Sequence, residues 1–248
     1  MRSSNAIRTG KYAPLRTLYQ PIVEIDSKKI LGYEALTRGK GKWTSPGNLF
    51  RAAYEDGCTA ELDFNCFDSA FPIVHRLRKN EFLFVNVEPI TLCHCFVHGK
   101  EAHFLLKRIS HHWGQVVFEL TEGMKARDFS LVQRGVLFLR KLGCRFAIDD
   151  AAGIGSKLIR LLSLKPDFLK IDISLVKGIQ KSRLQQGLVR RLITLGRKSG
   201  CLLIAEGVEQ KKDVDFIRGM GIPYAQGFYF SRPRKTLLKG PVGPIKTG

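Results

Sequence analysis

The sequence has no run of apolar residues long enough to cross a bilayer, which takes about 20 residues in a helix. Its first residues contain no apolar stretch of the kind found in secretory signals. The six cysteines lie mostly in apolar surroundings and form no spaced disulfide framework. We therefore expect a cytoplasmic protein without a transmembrane segment.

Acidic residues are scarce, because 22 Asp and Glu stand against 41 Lys and Arg, which gives a formal net charge of +19. A positive field of this size favours anionic ligands, nucleic acid or an anionic membrane surface. Solvated helix faces in a basic protein account for the same charge. The basic surface therefore favours an anionic partner, but charge alone does not select one.

The sequence is 44% hydrophobic, which supplies a full core and excludes a disordered protein. Two strand-like runs separated by the polar turn at residues 26–29 predict an antiparallel hairpin near the start. Buried strand-like runs then alternate with helix-like segments, which is typical of a parallel sheet covered on both faces. Ser45 and Pro46 mark a helix start, and helical periodicity runs over residues 59–79 and from Asp172 to about Ser199. A final strand is predicted over residues 224–230.

The stretch over residues 145–172 shows one such unit in detail. Its first apolar run ends in the adjacent acids Asp149 and Asp150, and its second leads to Lys170 and Asp172. A glycine-rich turn and a helix-like segment ended by Pro166 lie between them. Adjacent carboxylates repel one another and commonly share a divalent cation. Lys170 and Asp172 are two residues apart, which places both on one side of a strand and predicts a metal centre at this end of the sheet.

Polar residues recur at or near the ends of seven predicted strands, including the two just described. They are Glu34, Asn86, Glu119, Asp149, Lys170, Glu206 and Gln226. In a β/α barrel these ends converge on one rim, where the active sites of that fold lie. We therefore predict an α/β protein with a TIM-like (β/α)8 barrel and an antiparallel first strand, with a doubly wound open sheet as the alternative. The expected organisation is a flexible basic arm over residues 1–14, the barrel over 15–233 and a flexible basic tail over 234–248.

The letters at these positions resemble the EAL family of bacterial cyclic di-GMP phosphodiesterases. The matching motifs are Gln20-Pro21-Ile22, Glu34-Ala35-Leu36-Thr37-Arg38, Asn86-Val87-Glu88-Pro89, Glu119-Leu120-Thr121-Glu122, Asp149-Asp150, Lys170-Ile171-Asp172, Glu206-Gly207-Val208-Glu209 and Gln226-Gly227-Phe228. They occur in the family's order over residues 18–233. Eight motifs in that order are a specific signal, whereas Glu-Ala-Leu alone is trivial.

The resemblance implies a role for each matching residue. The implied metal ligands are Glu34, Asn86, Glu119, Asp149, Asp150 and Glu206, with Asp149 bridging two ions. The implied catalytic residues are Lys170, which orients or deprotonates water, Asp172 beside it, and the ligands Glu34 and Glu206. The implied substrate-binding residues are Gln20, Leu36, Arg38 and Gln226, and Glu122 and Glu209 are implied supporting acids.

The implied reaction is hydrolysis of cyclic di-GMP to linear pGpG by two-metal activation of water. Oxygen ligands without clustered Cys or His favour two Mg²⁺ or Mn²⁺ ions over Zn²⁺. Such ions lower the pKa of water and offset charge on the phosphate. The implied partners are cyclic di-GMP and a second copy of the chain in a homodimer.

One loop departs from the family pattern. The family usually reads Asp-Asp-Phe-Gly-Thr-Gly-Tyr-Ser-Ser-Leu, whereas residues 149–158 lose the aromatic residue and carry Ala152 and Ile154 in place of glycines. A side chain where positive φ is needed costs about 1 kcal/mol or more, unless Gly153 and Gly155 restore the turn in a shifted register. The alternative function is therefore a non-catalytic receptor of the same fold that binds cyclic di-GMP or a protein partner. Nucleic-acid binding driven by the net charge is a third hypothesis.

Overall fold

Eight strands form a closed barrel in the computed structural model, which describes residues 11–12, 14–93, 109, 111–121 and 129–244. The strands are β1 (Arg16–Glu24), β2 (Ile30–Arg38), β3 (Phe82–Asn86), β4 (Val116–Thr121), β5 (Arg145–Ala151), β6 (Phe168–Ile171), β7 (Leu202–Ala205) and β8 (Tyr224–Gln226). They follow one another around the barrel in chain order. β1 runs antiparallel to both β2 and β8, and every other neighbouring pair is parallel. The predicted TIM-like barrel with an antiparallel first strand is confirmed.

Helices cover the outside of the barrel between the strands. They are α1 (Pro46–Glu55), α2 (Thr59–Ala70), α3 (Pro89–Thr91), α4 (Phe129–Lys141), α5 (Ser156–Leu162), α6 (Ile173–Val176), α7 (Arg183–Ser199) and α8 (Lys211–Gly219). None of the helices within the described residues is long and apolar enough to cross a membrane.

The core has two layers, because strand side chains alternate between the two faces of the sheet. One large cluster lies between the sheet and the helices. A smaller cluster fills the barrel interior with one side chain from each of six strands: Ile22, Phe84, Val117, Ala147, Phe168 and Ile204. The interior is therefore packed, and the alternation also decides which residues face inward at the rim.

Several element boundaries differ from the prediction. The predicted helix over residues 59–79 ends as α2 at Ala70 and continues as a 3-10 helix over Phe71–Arg76, where Pro72 removes a backbone donor. The single helix expected from Asp172 is broken, because Gly178 has a left-handed φ of 74° after α6. A 3-10 turn follows, and α7 restarts at the Ser182 cap.

The predicted helix start at Ser45 and the predicted final strand over residues 224–230 also differ in detail from the structure. Ser45 precedes α1 as expected, but its side chain makes no capping hydrogen bond. β8 ends at Gln226, because the backbone turns at Gly227, where a Cβ would lie 2.1 Å from the Val208 carbonyl oxygen.

The tail packs on the barrel over its described part, in contrast to the flexible tail predicted for residues 234–248. Tyr19 and Arg234 exchange two backbone hydrogen bonds of 2.7 and 2.9 Å. The Tyr33 hydroxyl donates to the Leu238 carbonyl at 3.1 Å, and Val242 is buried. In the predicted arm, Tyr12 is buried against Trp43. Residues 1–10 of that arm lie outside the described part of the chain.

Candidate metal centre

The polar residues predicted at the strand ends form a second inward layer directly above the apolar interior. Each lies two residues from an inward apolar residue or glycine on its strand, as Asn86 follows Phe84 and Lys170 follows Phe168. Because strand side chains alternate with a period of two, both members of each pair point into the barrel. The strand register places these residues at one level of the barrel, since Gln20 is paired with Glu34 and Asn86 with Glu119. The barrel therefore gathers these residues at one end.

Lys170 lies at the centre of this layer and is completely buried. Four carboxylates surround its Nζ atom: Glu119 Oε1 at 2.7 Å, Glu206 Oε1 at 2.8 Å, Asp149 Oδ1 at 2.9 Å and Glu34 Oε2 at 3.5 Å. These close ion pairs place one ammonium against four carboxylates at once, and Glu119 Oε2 is a buried oxygen without a hydrogen-bond partner among the described residues.

The site holds more negative charge than Lys170 can balance. Asp150 adds a fifth carboxylate, so five acids less one ammonium leave four negative charges when all are ionised. Burial raises the pKa of Glu119 and of Glu206 well above the ordinary value, although Lys170 opposes both shifts. Burial and the neighbouring Asp149 raise the pKa of Asp150 to about 6. The cluster therefore holds protons or cations that neutralise it.

The donor set fits hard divalent cations. Asp149, Asp150 and Glu206 each offer a carboxylate oxygen, and these atoms lie within 4.8 Å of one another. Glu34 and Glu119 contact the same ammonium as Asp149 and Glu206. Oxygen-rich clusters of this kind suit Mg²⁺, Mn²⁺ or Ca²⁺ rather than Zn²⁺.

Two amide side chains hold Glu34 in place, and a third supports one of them. Asn86 Nδ2 donates to Glu34 Oε1 at 3.4 Å, and Gln226 Nε2 donates to Glu34 Oε2. Gln226 Nε2 also donates to Gln20 Oε1 at 3.1 Å, and Gln20 Nε2 donates to the Ser231 carbonyl at 3.0 Å. Because the nitrogen atom of Asn86 is directed at Glu34, its carbonyl oxygen is the atom that remains for a cation.

Asp172 takes a different position from the one that two-residue spacing predicted. β6 ends at Ile171, and Asp172 becomes the N-cap of α6, where its Oδ1 accepts from the Ser174 backbone N–H at 2.9 Å. It does not contact Lys170 through any described ion pair. Asp172 instead lines the cavity above the cluster. Asp172 therefore lies at the same site as Lys170, but as a helix cap at its rim and not as a strand residue that contacts Lys170.

Two cavities meet at the cluster, and Asp150 lines both. The first, of about 350 Å³, contains Leu36, Arg38, Asn86 and Asp63 in its wall. The second, of about 340 Å³, is lined by the following residues that sequence motifs had singled out: Gln20, Glu34, Asp172, Glu206, Glu209, Gln226 and Phe228. All the predicted site residues that the structure describes therefore line these cavities or contact Lys170.

Three predicted site residues remain to be described. The Arg38 guanidinium donates to the Thr37 carbonyl at 2.8 Å, and burial lowers its pKa, an effect that Glu34 opposes. Glu209 forms an exposed ion pair of 2.9 Å with Lys177. Glu122 lies outside the described residues.

The loop that departs from the family pattern has little backbone strain. Asp150 has a left-handed φ of 56°, and neither Ala152, Gly153, Ile154 nor Gly155 is among the residues with positive φ. The expected cost of a side chain at a positive-φ position therefore does not arise at Ala152 or Ile154, and Gly153 and Gly155 do not compensate for one. The pairing of β5 with β6 shifts register between Ile148 and Ala151, just before this loop.

Asp63 was missed by sequence reasoning. It is fully buried on α2, and its Oδ2 accepts from the Glu88 backbone N–H at 2.8 Å and from the Thr91 hydroxyl at 2.6 Å. It thereby fixes the segment that follows Asn86. Burial raises its pKa to about 8. The available signal was an acid within the apolar face of α2, between Leu62 and Phe64.

Comparison with known proteins finds relatives that match most of the chain. A family model described as "EAL domain" matches residues 4–233. The cyclic di-GMP phosphodiesterase PdeF of Escherichia coli K12 is 28% identical over 208 residues, which cover 82% of this chain and 28% of PdeF. The chain thus spans well under half the length of this curated relative.

Solved structures show the likeness over nearly the whole chain. A standalone EAL protein from Vibrio cholerae O395 in its c-di-GMP bound form superposes with a TM-score of 0.81 at 25% identity, covering 96% of this chain and 98% of that one. A calcium/cy-diGMP complex of Klebsiella pneumoniae BlrP1 gives a TM-score of 0.79 at 27% identity, covering 98% of this chain and 60% of that one. A manganese/cy-diGMP complex of BlrP1 gives a TM-score of 0.77 at 29% identity, covering 91% of this chain and 57% of that one.

Proposed function

The chain belongs to the EAL domain family, and we propose that it hydrolyses cyclic di-GMP to linear pGpG with the help of two divalent cations, Mg²⁺ or Mn²⁺. The observation that carries this proposal is the cluster of buried acids around Lys170, whose excess negative charge calls for cations. A purely structural cluster of this kind would be costly, because removing carboxylates from water is expensive unless they are fully compensated.

The residues divide into two overlapping sets of ligands. Glu34, Asn86, Glu119 and Asp149 would hold the first ion, and Asp149, Asp150 and Glu206 the second. Bound cations of this type supply an acidified water molecule and offset the charge that develops on a phosphoryl group. The calcium and manganese complexes of BlrP1 support the choice of hard cations.

Lys170 has the role of an orienting donor. Its burial disfavours the charged form, but Asp149, Glu119, Glu206 and Glu34 outweigh that effect and raise its pKa well above the usual value. In the cation-free site the ammonium therefore keeps its protons and holds the surrounding acids together by charge. This environment suits the orienting role that the family resemblance implies.

The substrate would span both cavities. Asp150 lies where they meet, so the phosphodiester that is cleaved would lie beside it, with Arg38 on one side and Gln20 and Gln226 on the other. Leu36 lines the first cavity and offers apolar contact to a base. Phe228 is 41% exposed at the edge of the second cavity, where its ring can stack on a guanine.

A homodimer is part of the same proposal. Ile154, in the altered loop, and Ile159, on α5, are exposed apolar side chains, with 37% and 55% of their surface accessible. A dimer contact through this loop would bury them. It would also couple the second cavity to the partner subunit, since the loop begins at Asp150.

The proposal is tested by turnover of cyclic di-GMP with Mg²⁺ or Mn²⁺, for the parent and for Glu34→Gln, with the product identified chromatographically. We expect linear pGpG from the parent and a loss of at least 100-fold in the variant, because Glu34 is both a ligand and the acceptor for two amides. Glu55→Gln is the matched control, since Glu55 is exposed at the end of α1 and lines neither cavity, and it should retain full activity.

The second candidate is a receptor that binds cyclic di-GMP without cleaving it, and the altered loop after Asp150 favours it. Binding to the parent without any pGpG under either metal would establish the receptor and exclude the phosphodiesterase. Absence of both binding and turnover would exclude both functions.

A further inference from the structure

We propose that the outward face of α7 binds the phosphate backbone of a nucleic-acid duplex without sequence preference, as a function separate from the catalytic site. The starting observation is an uneven charge distribution. Residues 173–205 contain seven Lys and Arg and no Asp or Glu. Five of the seven lie on α7: Arg183, Arg190, Arg191, Arg197 and Lys198.

Packing fixes which face of α7 is free. Val189, Leu192, Ile193 and Gly196 are buried against the barrel. The helix approaches β7 so closely that a Cβ at Gly196 would lie 2.9 Å from Leu203 Cδ2. The helix therefore cannot rotate about its axis, and all five cations are exposed. Arg191 and Lys198 lie opposite the buried residues, and the three remaining arginines lie about a quarter turn away from them.

The cations form two rows along the helix axis. Arg183, Arg190 and Arg197 are spaced by seven residues, or about 10.5 Å at 1.5 Å per residue, and successive members are rotated by only about 20°. Arg191 and Lys198 form a shorter row with the same spacing beside the first. Together the rows present five positive charges over roughly 22 Å.

These charges are not neutralised by any described carboxylate. The neighbouring cations Lys177 and Lys211 form ion pairs with Glu209 and Asp215, respectively. None of the ion pairs within the described residues involves a cation of α7. A row of unpaired guanidinium groups on a rigid element raises the local potential and attracts a polyanion.

The chemistry of the face favours a duplex over other anionic partners. Four of the five cations are Arg, whose planar guanidinium binds phosphate through two parallel hydrogen bonds. A duplex presents one negative charge per about 1.7 Å of its axis, so about a dozen phosphates lie within the length of the rows. Single-stranded nucleic acid usually requires aromatic stacking platforms, and the sequence of α7 contains no aromatic residue.

An anionic membrane is the weaker fit. Peripheral membrane helices insert an apolar face between lipids, whereas the apolar face of α7 is covered by the barrel. Leu184 is the one large apolar side chain of α7 that is strongly exposed, at 75%. The face thus offers charge without an apolar anchor.

The test is fluorescence anisotropy of labelled 20-base-pair DNA and RNA duplexes titrated with the full chain over a range of salt concentrations. The test variant is Arg183→Gln/Arg190→Gln/Arg197→Gln. The control is Lys29→Gln/Arg76→Gln/Lys79→Gln, which removes the same net charge from exposed residues elsewhere. Thermal unfolding of both variants reports whether they are folded.

We expect the α7 variant to bind DNA at least tenfold more weakly than the parent at 0.1 M salt. The slope of log K against log salt should fall in magnitude by about 2.7, which is 0.9 for each of three lost phosphate contacts. The control should stay within about threefold of the parent. The titration with the RNA duplex shows whether DNA and RNA duplexes bind the same surface. Glu34→Gln should bind both duplexes as tightly as the parent, whatever its rate of cyclic di-GMP turnover.

Equal losses in the two triple variants would overturn the proposal, because net charge rather than this face would then govern binding. It would also be overturned if the parent failed to bind either duplex at 0.1 M salt, or if vesicles containing phosphatidylserine bound through α7 while duplexes did not. If the test variant proves unfolded, Arg190→Gln and Arg197→Gln singly must each weaken binding and reduce the slope by about 0.9.

Discussion

At the residue scale, Lys170 decides how the acids of the site coexist. It is the single ammonium that contacts Glu34, Glu119, Asp149 and Glu206 within the described structure. Its side chain is fully buried, so its interactions are little screened by solvent. The stability of the cation-free protein therefore depends on this side chain.

Replacing Lys170 with Met should destabilise the cation-free protein by about 3–5 kcal/mol at pH 7, because four buried carboxylates lose their compensating charge. Chemical denaturation in the presence of a chelator measures the loss. Lys177→Met removes a lysine from an exposed ion pair with Glu209 and should cost no more than about 1 kcal/mol. Equal stability of Lys170→Met and the parent would contradict this account of the cluster.

Asp63 should make stability depend on pH. Its pKa is raised by burial to about 8 in the folded protein, against about 3.9 when unfolded. Between these values the folded state holds a proton that the unfolded state releases. The stabilisation is therefore fully present below about pH 4 and is lost as the pH rises towards 8.

The measurable consequence is a steady change of the free energy of unfolding with pH. Asp63 should lower the free energy of unfolding by about 1.36 kcal/mol per pH unit between pH 5 and pH 7. Asp63→Asn keeps an acceptor for the Glu88 N–H and the Thr91 hydroxyl but does not titrate. The difference between parent and variant should show this slope in urea unfolding, and parallel pH profiles would contradict it.

At the scale of elements, Asp172 combines two roles that can be separated by substitution. It caps α6 through the Ser174 backbone N–H and lines the second cavity. Asp172→Asn keeps a capping acceptor and should change the free energy of unfolding by less than about 0.5 kcal/mol, whereas Asp172→Ala should cost about 1 kcal/mol. If its charge acts in catalysis, Asp172→Asn should lower turnover by about 100-fold or more.

Ser182 provides the matched control for this cap. Its hydroxyl accepts from the Gln185 backbone N–H at the start of α7, away from both cavities. Ser182→Ala should cost about as much stability as Asp172→Ala but leave turnover unchanged. Full turnover by Asp172→Asn would reduce Asp172 to a structural cap.

Gly207 holds the backbone that follows Glu206. It has a φ of 62°, and a Cβ there would lie 2.3 Å from side-chain carbons of Ile173. Gly207→Ala should therefore cost about 2–4 kcal/mol and lower turnover by displacing Glu206. Gly153→Ala should be neutral or slightly stabilising, because nothing lies within 4 Å of its Cβ position and its φ is not positive. Thermal unfolding and turnover of the two variants test the contrast, and similar effects would contradict it.

The elements also show how far sequence reasoning extends. The inward orientation of Glu34, Asn86 and Glu119 follows from strand alternation, which is a local rule, whereas closure of the sheet into a barrel was one of two predicted architectures. The break at Gly178 and the end of β6 before Asp172 depend on local backbone geometry that apolar periodicity does not encode. The ion pairs around Lys170 and the bonds of Asp63 join residues far apart in the chain, so neither could be read from spacing.

At the scale of the whole molecule, charge is divided between two regions. The inside of the barrel rim concentrates acids, whereas the outward face of α7 carries unpaired arginines. In the functions proposed above, the first region binds cations and the second binds an anionic partner. The net charge of +19 therefore describes neither region, and the two proposed functions can be lost independently.

The central claim is that the acids around Lys170 hold two divalent cations even though the following loop departs from the family pattern. Electron paramagnetic resonance of free Mn²⁺, titrated with the parent in the presence of cyclic di-GMP, counts the bound ions directly. We expect about two Mn²⁺ per chain in the parent and a loss of both in Asp149→Asn, because Asp149 belongs to both ligand sets. A stoichiometry of zero, or Mn²⁺ binding that Asp149→Asn leaves unchanged, would contradict the metal centre and the hydrolysis that depends on it.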